Sequence, residues 1–483
     1  LWKSGVIAFV DANCFERGRF VEAAAPGGFS MKRRVVPFLF LFVLILSACG
    51  GSSGGSTGSS SGGGGAQQGL IGGNPYIQCP SSTNTTATAP ESGNITLNVA
   101  GATSSPAEDA LVQQNLKKFE QAHPNIKLNW VAYADYPTKM RANVSSGNVP
   151  DVFYVQPQMS SQYTTAGKLL NLSPYMAKDN VKASNYYSAL MTPFTCKSGQ
   201  VYGIPKDWNS LGLFYNKQMF QAAGVPFPND NWTWTDMQNA AKKLTKPGNA
   251  ATSVYGITLA ADPSRWGAFL FSAGGSMLNS DGTQAAFNSD AGLKSLQFFT
   301  SFQKAGTSVL PGSVSSGWPG EAFGKQRGAM ALEGGWLIPF LSTTYPNVQY
   351  DIAPLPKDPD TGKRANLIYT NAWGAYSGTK HAEAAWELIK YMTGNDVQKS
   401  QLEAGFALPS VKGLETDPYF TQHPGFKVLF DAAQYGYADY YGPHDDIIHN
   451  DLTQAIESVM LNKADAKTAL STAATQINNE LQS

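Results

Sequence analysis

Ile95-Thr96-Leu97-Asn98-Val99-Ala100 alternates apolar and polar side chains, the period of a strand, and the residues after it repeat the change of period that decides the fold. Ser105-Pro106-Ala107-Glu108 supplies an N-cap serine, a proline at the first helical position and a glutamate closing a capping box. Val112, Leu116 and Phe119 continue at helical spacing until His123-Pro124 stops the helix. Ile126, Leu128 and Trp130 then alternate again, a helical stretch covers Tyr136–Ser146, and Asp151–Val155 (DVFYV) reads as a buried strand. Strand, helix, strand, helix, strand is the rhythm of an α/β sheet covered on both faces.

The same rhythm extends to the end of the chain. Strands are expected at Leu211–Tyr215, Gly256–Leu259, Ala329–Leu332, Tyr350–Ala353 and Ala372–Tyr376. Helices are expected at Thr235–Leu244, Ala291–Phe302, around Ala385, Trp386, Ile389 and Met392, and at Asp446–Leu461 and Asp465–Leu481. No period of about 20–50 residues recurs, which excludes a solenoid.

The 483 residues carry 35 basic and 35 acidic side chains. A neutral chain without Lys/Arg blocks has no electrostatic footprint for nucleic acid. Aromatic residues make up 12% of the chain, enough to rule out disorder throughout. With five histidines, histidine-rich metal chemistry is not expected.

The first part of the chain reads as an address. Met31-Lys32-Arg33-Arg34 precedes an apolar run from Val35 to Leu46 and then Ser47-Ala48-Cys49-Gly50, the plan of a secretory signal peptide. The run is shorter than the roughly 20 residues a membrane span needs. Leu46-Ser47-Ala48-Cys49 resembles the bacterial lipobox, which implies acylation of Cys49 at the mature N-terminus. Residues 1–48 are therefore expected to be an upstream segment plus signal peptide, with translation starting at Met31. They hold six of the basic and three of the acidic side chains, so the mature chain carries −3. From Gly50 to about Gly65 the sequence is almost pure Gly, Ser and Thr, a flexible tether, and residues 49–93 as a whole read as linker. Cys79 and Cys196 remain in the mature body, where an extracellular compartment favours their pairing over two free thiols.

Catalytic and cofactor signatures are missing: the sequence has no G-x-G-x-x-G between strand and helix, no P-loop, no H-E-x-x-H and no G-x-S-x-G. No cofactor and no metal is expected. His444, Asp445, Asp446 and His449 form one ligand-like cluster, but the two histidines do not share a clean helix face, and acidic residues suit a helix N-terminus.

Several motifs fall in a telling order. They are Ser146-Gly147-Asn148-Val149-Pro150-Asp151-Val152, Gly203-Ile204-Pro205 with Leu213-Phe214-Tyr215-Asn216-Lys217, Trp232-Thr233-Trp234-Thr235-Asp236, and Phe323-Gly324 through Gly328-Ala329-Met330 to Gly335-Trp336. From about Ile95 to the C-terminus the chain resembles extracellular solute-binding proteins of family 1, the sugar-binding lipoproteins of bacterial ABC importers. The resemblance implies a two-lobed periplasmic-binding-protein fold of type II with a ligand cleft between hinged lobes. Lobe one is expected over 94–206 with 370–405, and lobe two over 207–369 with 406–483. A monomer is implied, bound to the extracellular face of the cytoplasmic membrane or free in a periplasm, delivering a carbohydrate to permease subunits without catalysis.

A sugar needs directional partners for its hydroxyls and flat apolar surface for its C–H faces. By position, Asp207, Trp208 and Asn209 follow the first crossing between lobes, where the alternative is a hinge turn with a packed Trp. Gln156 and Gln158 follow a strand at its C-terminal end, where ligands of open α/β sheets bind. Asp151 is equally a ligand contact or a structural strand-end partner. Arg265 and Trp266, then Trp336, then Asn371 and Trp373, supply further candidates, and each Trp has a core alternative. Trp232 and Trp234 are expected to pack at a helix entry. Tyr435, Tyr437, Tyr440 and Tyr441 either close the cleft or pack on it. Two rivals stand beside the carbohydrate reading: another solute such as a polyamine, which would want several cleft carboxylates, and a secreted glycoside hydrolase, which needs a carboxylate pair about 5–10 Å apart.

Overall fold

The structure, a computed structural model, describes residues 77–482 apart from 104–105 and 250–251. The Met31–Cys49 leader, the Gly/Ser tract and the Ser105 cap lie outside the described residues. Among the described residues no helix is long and apolar enough to cross a membrane.

Ten strands form one sheet among these residues: β1 (Ile95–Ala102), β2 (Ile126–Tyr133), β3 (Val152–Val155), β4 (Ile204–Asn216), β5 (Ile257–Thr258), β6 (Ser308–Val309), β7 (Met330–Gly334), β8 (Tyr350–Ala353), β9 (Asn366–Ala375) and β10 (Gly436–Ala438). Their order is β2-β1-β3-β9-β4-β7-β5-β6, with β10 beside β9 and β8 beside β4. β1 and β2 run parallel from Ile95 opposite Ile126 to Ala102 opposite Tyr133, joined by the helix Pro106–Ala122, because parallel neighbours require a crossover.

Two lobes divide this sheet. Leu97, Phe119, Phe153, Ile204, Ala372 and Trp386 belong to the core of the first. Leu213, Trp234, Phe269, Phe299, Leu332 and Leu470 belong to that of the second. Phe214, the neighbour of Leu213, points to the opposite face and anchors a further cluster with Trp208, Leu337 and Phe430 beneath the helix Pro424–Asp431. The alternation of β4 thus lets lobe two bury both faces of its sheet. The helix Trp234–Leu244 opens with a capping box, in which the Thr233 amide donates to Asp236 at 2.8 Å and the Asp236 amide donates back to Thr233.

β4 and β9 join the lobes. β9 pairs antiparallel with β3 through Ala372–Ala375, and with β4 from Trp373 opposite Ile204 to Ile368 opposite Ser210. β4 continues into lobe two, where Leu211–Tyr215 pair with β7. Both strands begin earlier than their apolar patterns suggest, at Ile204 rather than Leu211 and at Asn366 rather than Ala372. The extra length is polar because Lys206, Asp207, Asn209, Thr370 and Asn371 face a cleft instead of a core.

Residues 77–93 are docked on lobe one, although their polarity assigns them to the linker. Asn84 exchanges hydrogen bonds with the backbone of Asn171 at 3.0 and 3.1 Å, His381 meets Glu91 at 2.5 Å, and the Lys197 amide donates to Ile77 O at 2.9 Å. Polar pairs of this kind leave no apolar period to detect. Cys79 and Cys196 are joined by a disulfide with Cα atoms 5.2 Å apart, closing a sequence separation of 117. Alkylation without reductant should leave both cysteines unlabelled in intact-mass spectra, and Cys196→Ala should lower stability by about 2–5 kcal/mol. Two labelled thiols in unreduced protein would refute the pairing.

Candidate functional site

The β4–β9 ladder is irregular at one point. Pro205 pairs with Ala372 and Asp207 with Asn371, so Lys206 is an extra residue in β4. A bulge bends a strand and re-aims its side chains, and here it forms the floor of a cleft of about 350 Å³ between the lobes. Lobe one contributes Glu108, Tyr154, Gln156 and Gln158. The crossing strands contribute Lys206, Asp207, Trp208, Asn209, Tyr369, Thr370 and Asn371, and the far wall carries Trp336 and Asp439.

Seven of the residues singled out from sequence therefore meet in one cavity: Gln156, Gln158, Asp207, Trp208, Asn209, Trp336 and Asn371. Gln156 precedes the helix Pro157–Thr165 without capping it, which leaves its amide for the cleft. Trp208 is held by its indole, whose Nε1 donates to Pro409 O at 2.8 Å, and by Phe430 at 5.8 Å between ring centroids. Asn209 has a buried Oδ1 without a hydrogen-bond partner in the protein, an orphan acceptor that a ligand hydroxyl would satisfy.

Trp336 is set by a chain of buried charge. Its Nε1 donates to Glu333 Oε2 at 2.9 Å, and Arg265 Nη2 donates to the same oxygen at 2.6 Å. Arg265 also donates to Leu332 O at 2.8 Å and pairs with Asp262. Burial works against the Arg265 charge, but Glu333 and Asp262 outweigh it, so the guanidinium stays fully charged. The ring stands edge-on to Tyr369, with centroids 5.4 Å apart. Two glycines make room: a Cβ on Gly334 would come within 2.2 Å of the Trp336 ring, and one on Gly335 within 2.4 Å of Asn209 Oδ1.

Lys206 is 5% exposed, yet its ammonium is kept charged. Burial disfavours the charge, and Asp207, Tyr154 and Glu108 more than reverse that, with Glu108 at 3.6 Å and the Tyr154 ring centroid at 5.1 Å. On the far wall Asp439 accepts from Ser264 at 2.6 Å and from Tyr441 and His449 at 3.3 Å each. Burial pulls the His449 pKa down, but Asp439 and Asp445 carry it up to about 10, so the imidazolium donates through both nitrogens.

The other candidates sit elsewhere. Trp266 is fully buried in lobe two, with Nε1 donating to Ser295 Oγ at 3.0 Å, and offers no surface to a ligand. Its helix, Pro263–Ser272, is buried at every residue but Arg265, so no face distinguishes the ring. Trp373 is buried in lobe one behind Tyr154, at 4.5 Å between centroids. Arg265 acts on the cleft only through Glu333 and Trp336. Asp151 is structural: it accepts from the Asn98 amide at 2.9 Å and the Thr379 hydroxyl at 2.6 Å. None of Tyr435, Tyr437, Tyr440 and Tyr441 lines the cleft. Among the described residues no group of His, Cys, Asp and Glu is arranged to hold a metal ion, and Asp445 instead accepts from the Tyr441 amide. Glu108, Tyr154, Lys206, Tyr369 and Asp439 were not legible as site residues. Glu108 reads as a helix cap and Tyr154 as buried strand, while Asp439 hides among tyrosines.

Residues 102–399 match the family of bacterial extracellular solute-binding proteins. The chain belongs to that family. Among curated relatives, this solute-binding protein is 24% identical to the multiple sugar-binding protein of Streptococcus mutans over 68% of its own length and 78% of the relative's. It is 22% identical to the galactooligosaccharide-binding protein of Bacillus subtilis over 77% and 86%. Its structure resembles an ABC substrate-binding protein of Listeria monocytogenes in complex with cycloalternan, with TM-score 0.72, 25% identity and coverage of 80% and 99%. The two-lobed α/β architecture is thus the periplasmic-binding-protein fold that the motifs imply.

The two tryptophans give opposite expectations. Trp266→Ala should cost about 3–5 kcal/mol of stability as a core truncation and leave solute affinity of the folded protein intact. Trp336→Ala should weaken binding strongly and cost less stability than Trp266→Ala, because the Trp336 ring is only partly buried. Calorimetric titration beside thermal melts checks both, and the reverse pattern would return Trp266 to the cleft.

Proposed function

We propose that the chain is the lipid-anchored binding component of an ABC importer, taking a mono- or oligosaccharide between its lobes and presenting it to the permease outside the cytoplasmic membrane or in the periplasm. The observation that carries this is the pairing, in one cleft, of the Trp336 ring with the Asn209, Asn371, Gln156 and Gln158 amides and the Asp207 and Asp439 carboxylates. A flat apolar face beside amide and acid acceptors matches a sugar's C–H face and its hydroxyls. The relatives named for sugars support the same reading.

A hydrolase reading has less support. It needs one carboxyl kept protonated and another free to attack or to activate water. Glu108 and Asp207 share Lys206, and Asp439 is held by His449, so the cleft carboxylates are engaged as hydrogen-bond acceptors. The role is binding rather than catalysis.

A thermal-shift panel of mono- and oligosaccharides, with spermidine as the polyamine control, tests the ligand class. At about 100-fold above its dissociation constant, a saccharide that binds only the folded state should stabilise it by about 2.7 kcal/mol. A shift with spermidine and with no saccharide would overturn the carbohydrate reading.

Anchoring rests on Leu46-Ser47-Ala48-Cys49 behind a basic start and an apolar run. Cys49→Ser should release the protein from the membrane fraction or leave it unprocessed. Normal cleavage with unchanged membrane partition would remove the lipid from the proposal.

A further inference from the structure

We infer that the cleft selects saccharides without acidic groups, and that Glu108, Asp207 and Asp439 are the residues that refuse uronates and other anionic sugars. This rests on the carbohydrate reading above and names the ligand's charge, which the sequence left open.

Among the described residues the cleft walls carry three carboxylates and one ammonium. Glu108 stands on the lobe-one wall, Asp207 on the hinge floor and Asp439 on the lobe-two wall, so a ligand touching both lobes meets a carboxylate on each. Lys206, the basic residue of the lining among the described residues, is engaged: it pairs with Asp207, lies 3.6 Å from Glu108 and sits over the Tyr154 ring. Its neighbourhood already holds more negative charge than its own positive charge balances.

The two other cations nearby offer no remedy. Arg265 faces away from the lining into Asp262 and Glu333. His449 stands behind Asp439 with Asp445 at 3.6 Å on its other nitrogen, so that cluster too has no positive surplus. Ser264, Tyr441 and His449 all donate to Asp439, so both of its oxygens act as acceptors at the lobe-two wall. Neutral sugars suffer nothing from this arrangement, since ionised carboxylates accept from hydroxyls. A ligand carboxylate, sulfate or phosphate brings like charge against these carboxylates, and the lining cation among the described residues, Lys206, is already paired; like-charge contact of that kind costs a factor of about a hundred or more in affinity.

The test is calorimetric titration of the whole mature protein with maltotriose and galactotriose, each against the same trisaccharide oxidised to uronate at C6, at low and high salt. For any neutral trisaccharide that binds, its uronate should bind at least about a hundredfold more weakly at low salt, with the gap narrowing at high salt. Asp439→Asn should shrink the neutral-to-acidic ratio at least about tenfold, and Glu108→Gln provides a second, independently folded variant for the same ratio. A uronate that binds wild type as tightly as its neutral partner overturns the inference. Unchanged ratios in both variants also overturn it, because the refusal would then come from shape. Failure of every saccharide, neutral or acidic, strikes the carbohydrate reading itself and is told apart by the absence of any binding heat.

Discussion

A strand that leaves one sheet and enters another has to keep its backbone hydrogen-bonded on both sides of the gap, because buried unpaired amides are costly. β4 and β9 meet that requirement by pairing with each other through the crossing while β3 closes one end and β7 the other. The rest of the molecule follows from this ladder. It fixes where the two cores separate, and it brings the polar side chains of two distant chain segments to the same mouth. Its single irregularity, at Lys206, puts an extra side chain into that mouth.

The same ladder explains which parts of the sequence were readable. Periodicity is produced by burial, so the start of β1 and the helix Trp234–Leu244, which buries Trp234, Met237, Ala240, Ala241 and Leu244, show their type directly. At the crossing, Lys206, Asp207, Asn209, Thr370 and Asn371 face ligand space instead of a core, and the apolar pattern breaks although the strands continue. Missing strand signal and candidate site coincide there: Asp207, Asn209 and Asn371 belong to both. Trp266 shows the opposite failure. In a helix buried on nearly every side, composition cannot say which ring reaches a cleft, and only the packing around Ser295 decides it. Glu108 and Asp439 carry no local motif at all, since their meaning comes from what folds opposite them.

Buried charge at this site serves orientation more than stability. A desolvated ion pair roughly balances its own solvation cost, while removing one partner is expensive. Lys206 with its carboxylates and Arg265 with Glu333 therefore behave as fixed brackets. One sets the hinge floor, and the other sets the tilt of Trp336 at the opposite wall. Gly334 and Gly335 complete the second bracket by letting the ring and the Asn209 amide come close to the backbone.

The docked segment before β1 has a mechanical meaning. Any pull transmitted along the chain toward Ile77 can cross from Cys79 to Cys196 by a covalent bond before it reaches β1. Both cysteines pack against the core of lobe one. Load entering there is thus borne by lobe one and does not pass along β4 and β9, the strands that carry the chain into the second lobe.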